Sequence, residues 1–390
     1  MDRRKFLALL GLSALSPRIA FGKLQKQSKE QETLLILLNQ SWRPNGQLVA
    51  MSRNGKKWKA FDLPMPNKIL GAHSIEVHPK DPSLLAIYPF RLDRMVLLSL
   101  KEGKVTREIQ AKPGYLFSGH GLFTLDGSKI LSSEYKEEDA AEGFISVRDV
   151  STGAIMDEIH TGVAHPHQLV SLDPAMKELA IAHYGKLTTS EKRELNSEIT
   201  YVDFKSKNIV HRAKSQYLNL ALCHVAASSR KPGEIYISAD NHTLVSPTEK
   251  FDSLMATNKY YPAPVLYMNR ESTKLQEFDD QGNREHLRFN FSNALSDKHK
   301  TFGLVHPDSK RVSFWDTESK RLRKILHYPD HLLTGFNVTP TQDQFFLSAT
   351  GVKSKLVFFD AKTLHVAEEI VMPMPGHLSA HMAWTRFPIS

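Results

Sequence analysis

Between residues 118 and 159, apolar and polar positions alternate in four short runs separated by turn residues. The first run, 119–125, opens on Gly119-His120-Gly121. Asp126-Gly127 follows, a pair that tolerates the positive φ of a tight hairpin. Runs at 129–133, 144–150 and 154–159 complete the set, the last two joined by Ser151-Thr152-Gly153. Alternation with a period of two marks strands on a half-buried sheet. The stretch therefore predicts one four-stranded antiparallel unit.

The unit recurs along the chain. Hairpins from a third to a fourth strand begin at Gln47, Met95, Ile145, Ile199, Val265, Arg311 and Lys355. First strands open on a polar residue: His73, His120, His167, His224, Asn293, Asn337 and His381. Repeats of about 45–70 residues with four strands each predict an all-β fold, a seven-bladed β-propeller. The apolar run 33–39 has no first strand before it, and 377–384 is a first strand with no partners after it. One shared last blade is expected, with the C-terminal strand innermost and three N-terminal strands outside it. Such closure leaves no exposed sheet edge. Insertions at 136–142, 186–197 and 242–264 interrupt the period.

Residues 1–22 stand outside this pattern. Arg3-Arg4 precedes Phe6-Leu7 and a modest apolar run, and Ala20 and Gly22 suit a cleavage after Gly22. This is the design of a twin-arginine signal peptide, which predicts export to the periplasm. The apolar run is too short for a stable membrane anchor. Residues 23–32 read as a flexible lead-in and 33–390 as the propeller. A hydrophobic fraction of 41% and a charged fraction of 24% fit a globular chain. The net charge of +9 is spread without a Lys/Arg run, so nucleic acid is not expected as a partner. With one cysteine, Cys223, no internal disulfide can form. The chain reads as a monomer.

In a propeller the first strand lines the channel and the second runs antiparallel to it. Starts of first strands and ends of second strands therefore share one face. This rule gathers His73, His120, His167, His224 and His381 with Arg91, Glu134, His183, Asp240 and His306. Imidazoles beside carboxylates suit iron, copper or zinc, or a small anionic ligand on the axis. The alternative is structural: the histidines bond backbone between blades, and the protein is a scaffold for a periplasmic protein partner. The sharpest expectation is that His120, His167 and His224 face one cavity, with Glu134 and His183 around it. Cys223 and His224, adjacent in a strand, point to opposite faces and form no catalytic pair. No G-x-S-x-G, H-E-x-x-H, C-x-x-C-H or phosphate loop occurs, so no enzyme class is read.

Gly119-His120-Gly121-Leu122-Phe123-Thr124-Leu125-Asp126-Gly127 is similar to the G-H-G-x-F-S-x-D-G of a bacterial family, domain of unknown function 1513. Gly162 to Gln168 resembles that family's G-I-G-P-H-E, with His167 as its histidine, and Leu220 to Ala226 resembles its L-S-I-R-H-L-A. Gly71-Ala72-His73-Ser74 stands at its R-G-H-D and Ser133-Glu134 at its T-E-N. Ser74, Gln168 and Cys223 replace charged residues of the pattern, and Pro89-Phe90-Arg91 replaces an A-R-R-P-G segment. The resemblance covers almost the whole chain after residue 22. It implies an exported propeller without a defined activity, and its usual neighbours, imelysin-like and di-haem cytochrome proteins, imply periplasmic metal handling.

Overall fold

The computed structural model describes residues 32–39, 44–66, 71–136, 143–185, 197–217, 220–241, 262–372 and 377–389. The signal segment 1–22 and most of the three insertions lie outside those residues. The described residues form 28 strands, β1–β28 in chain order. They form five four-stranded antiparallel sheets and one sheet of eight strands, β4–β11. Among the described residues no helix is long and apolar enough to cross a membrane.

Burial explains the pattern of each unit. In the second unit the two middle strands, β9 (Lys129–Lys136) and β10 (Gly143–Asp149), are buried almost end to end. The outermost, β11 (Ile155–His160), is half-exposed. Middle strands are covered on both faces by neighbouring units, so their apolar runs are nearly continuous. Leu131 and Ile145 of one unit pack with Leu179 and Ile181 of the next. Further round, Phe314 packs with Phe336, Phe345 and Phe359 in the same way. The turns between third and fourth strands repeat one device. Asp149, Asp203, Asp316 and Asp360 each accept the backbone N–H three residues on, at 2.6–2.8 Å.

The inner strands are β4 (Ala72–Val77), β8 (Tyr115–Phe123), β12 (Pro166–Ser171), β16 (Leu220–Ala227), β20 (Asn293–Ser296), β24 (Leu332–Val338) and β28 (His377–Thr385). Each touches the next, and β28 touches β4, so they form a closed cycle. The closing sheet has the order β28-β1-β2-β3, with β1 at Thr33–Asn39, β2 at Asn45–Ser52 and β3 at Trp58–Pro66. Leu34 pairs with Trp384 and Ile36 with Met382. This is the shared last unit expected from the apolar runs at the two ends.

One feature departs from seven separate sheets. The end of β5 (Leu84–Leu92) crosses to the next unit, where Phe90 pairs with Ser118 and Leu92 with Phe117 of β8. This crossing brings Phe90 beside the rings of His73 and His167.

Candidate metal centre

Of the five histidines, His73 and His167 lie at the starts of their strands, as the repeat suggested, and three do not. His120, His224 and His381 lie well inside β8, β16 and β28. What they share is a break in register. β4 shifts between Ala72 and Ser74, β8 between Phe117 and Gly121, β12 between Pro166 and Leu169, and β16 between Leu222 and His224. The shift in β28, between Leu378 and Met382, spans His381. A β-bulge bends its strand and re-aims a side chain, and here five bulges turn five imidazoles onto the axis. The β8 bulge needs Gly119, whose φ is +103°. A Cβ there would lie 2.7 Å from the His73 ring and 3.0 Å from that of His167.

The five rings form one cluster. Centroid separations are 4.6 Å for His120–His167, 4.6 Å for His120–His381, 4.7 Å for His224–His381 and 4.8 Å for His73–His381. One ring nitrogen each of His73, His120, His224 and His381 lies within 4.8 Å of the other three. Four nitrogens about 2.1 Å from one tetrahedral ion lie about 3.4 Å apart, so the side chains would close by up to about 1.4 Å for all four to bind it. His167 abuts the group, its Nε2 3.4 Å from Nε2 of His224.

The tautomers follow from the partners. Nδ1 of His167 faces the Ser118 carbonyl, and Nδ1 of His224 lies 2.9 Å from the Phe291 carbonyl. A carbonyl only accepts, so both Nδ1 atoms carry the proton and donate. In the neutral rings both Nε2 atoms then present lone pairs toward each other. Burial keeps the rings neutral. It lowers the pKa of His73 to about 3 and of His224 to about 4, and holds His120, His167 and His381 well below the usual histidine range. Neighbouring imidazoles push His73, His120, His167 and His381 further down. Nε2 of His73 and of His120 has no hydrogen-bond partner among the described residues. Four of the rings are at most 5% exposed. The set is thus a cluster of neutral imidazoles in which the Nε2 lone pairs of His167 and His224 face each other, an arrangement that a cation relieves.

Aromatic rings cover one side. Phe90 lies 5.3 Å from both His73 and His167, and Tyr184 lies 4.4 Å from His167 with its hydroxyl 3.3 Å from that ring's Nε2. His165, at a φ of +52°, is a turn residue stacked on Tyr135 at 4.0 Å, so His167 is the member of the Pro166-linked pair that joins the cluster.

The remaining predicted residues have other partners. Glu134 is fully buried and ion-paired to Arg148 at 2.6 Å, and it also accepts from Ser146 and the Lys112 backbone. Both ring nitrogens of His183 are engaged, with the Glu198 carbonyl at 3.1 Å and the Thr161 hydroxyl at 2.9 Å. Asp240 accepts from the Cys223 thiol at 3.2 Å, and burial raises its pKa well above the carboxylate range. Arg91, at a φ of +61°, lies against the Phe90 ring at 5.3 Å. His306 bonds Ser313 at 2.7 Å. Sequence reasoning missed Tyr184 and Phe90 beside the cluster. It also missed Glu76, an acid within the apolar strand β4, which was the only local signal it gave.

Fold and site together define a propeller-like all-β protein with a histidine cluster where its inner strands meet. The model of the family described as "Protein of unknown function (DUF1513)" matches residues 63–381, and the chain belongs to that family. No curated protein matches it. Among solved structures it is similar to Kuenenia stuttgartiensis hydrazine synthase, with a TM-score of 0.57, 12% identity, and coverage of 84% of this chain and 90% of that one. At that identity the likeness concerns the fold alone.

Proposed function

We propose that this protein holds a transition-metal ion on its axis, bound by the imidazoles of His73, His120, His224 and His381 with His167 beside them. The observation that carries the reading is the 3.4 Å approach of two Nε2 lone pairs, on His167 and His224, whose Nδ1 atoms are fixed by carbonyls. The inter-unit bonds that a purely structural role requires are present, but they use only Nδ1. Nε2 of His167 then accepts from the Tyr184 hydroxyl at 3.3 Å, while Nε2 of His224 faces only Nε2 of His167. A neutral, all-nitrogen donor set suits copper, zinc or ferrous iron. A ligand that binds only the folded state stabilises it by mass action, by about 2.7 kcal/mol at a concentration of one hundred times Kd. Added copper, zinc or ferrous iron should therefore raise the melting temperature of chelator-treated protein, and His224→Ala should abolish most of that rise. Equal shifts in wild type and variant would overturn the reading.

The protein works in the periplasm in this proposal, with residues 1–22 a twin-arginine signal, 23–32 a lead-in and 33–390 a single propeller domain. Arg3-Arg4 beside Phe6-Leu7 supports the route. Replacing both arginines with lysine should leave the precursor uncleaved in the cytoplasm; mature protein reaching the periplasm as before would reject it.

A further inference from the structure

One member of the buried cluster borders open space. Beside His120 lies a cavity of about 360 Å³, between β4, β8 and β12 and bounded by the turns that follow β8 and β12. Leu122, Phe123, Leu169 and Met176 give it apolar walls. Its polar groups are few, and most are already engaged. Asp173 accepts the backbone N–H groups of Ala175, Lys177 and Glu178 at 2.9–3.1 Å. Gln168 accepts from the Val225 N–H at 2.6 Å. Glu76 differs: among the described residues its carboxyl has no hydrogen bond and no ion pair. Glu76 is half-buried, and that burial raises its carboxyl pKa to about 8. Nearby, the buried Tyr88 hydroxyl also has no hydrogen-bond partner among the described residues.

A half-buried carboxyl on an apolar wall, with no side chain paired to it, is a counter-charge available to a cation. No lysine or arginine lines the space. A bare ion would leave most of it empty, since one water takes about 30 Å³ of liquid volume. Cavities of this size with apolar walls and a few polar groups are those that hold small organic molecules. We propose that the cavity binds a small organic cation, a primary ammonium on a compact apolar body, with Glu76 as its counter-charge. The inner wall is His120, so an occupant lies against the edge of the histidine cluster. The inference does not depend on a metal being bound there.

The test uses the full chain after metal removal, titrated calorimetrically with benzylamine and with benzyl alcohol, which has the same body without the charge. Benzylamine should bind more tightly than the alcohol by about tenfold or more, as a charge-assisted hydrogen bond implies. Glu76→Gln should remove that preference, and Val170→Trp, which fills the cavity from its wall, should abolish binding of both. Equal binding of amine and alcohol, retained amine binding in Glu76→Gln, or no binding of either probe would overturn the proposal. Should Glu76→Gln fail to fold, the amine–alcohol comparison in wild type and Val170→Trp still decides.

Discussion

A histidine in this molecule is defined by what its two nitrogens meet. His183 has partners on both and can only be structural. His167 and His224 have carbonyls on Nδ1 and each other on Nε2. All three are histidines that the repeat assigns to one face, and nothing in the sequence separates them by partner. The distinction depends on which backbone carbonyl of the adjacent unit lies opposite, and that is set by packing. Burial gives these groups a further consequence. The pKa values of His183 and His306 are lowered to about 3, chiefly by burial, while unfolded imidazoles titrate near 6.5. The unfolded chain therefore takes up protons that the folded one refuses. This part of the stability is complete above pH 6.5 and is lost as pH falls from there toward 3, at up to about 1.4 kcal/mol per pH unit for each group. Urea midpoints of metal-free protein between pH 8 and 4 should fall accordingly, and His183→Ala should flatten the slope by about one group's share. A midpoint independent of pH would contradict the burial of these rings as neutral groups.

At the scale of the element, strands were legible and their bulges were not. Period-two alternation and turn residues such as Asp126-Gly127 mark where a strand runs. A bulge adds one residue within that alternation without changing composition, so His120 read as the opening of a strand whose described range starts at Tyr115. Gly119 was the visible trace, since a glycine inside a strand often marks a bulge or a close approach. The closing strand was legible because apolar runs at both ends lacked partners in their own neighbourhoods. β28 covers Leu34 and Ile36, both fully buried, and supplies His381. Truncation after residue 376 should strip the closing sheet of its inner strand and expose the edge of β1. Calorimetry should then show loss of the single cooperative melting transition together with aggregation. A truncated chain that melts as the full one does would show that β28 is dispensable to the fold.

For the molecule as a whole, the repeat made the ring readable because each unit cannot bury its faces alone and must stack on two neighbours. The convergence of side chains from β4, β8, β12, β16 and β28 follows from that ring, and so the histidine set could be gathered from sequence. What could not be read was composition around the set. Phe90 arrives by the crossing of β5 onto β8, Tyr184 from just past the end of β13, and Glu76 from β4 in the cavity wall. None of these carries a repeat signature. The inner strands β20 and β24 carry no histidine, so the donor set is one-sided rather than a full ring.

The central claim is that the axial imidazoles bind one metal ion. X-ray absorption at the metal edge on protein loaded with copper, zinc or ferrous iron reads the donor atoms directly. The expected result is about one ion per chain with a shell of imidazole nitrogens near 2.0–2.1 Å, lost in His224→Ala. A shell of oxygen alone, a spectrum unchanged by His224→Ala, or a chain that retains no metal would contradict it.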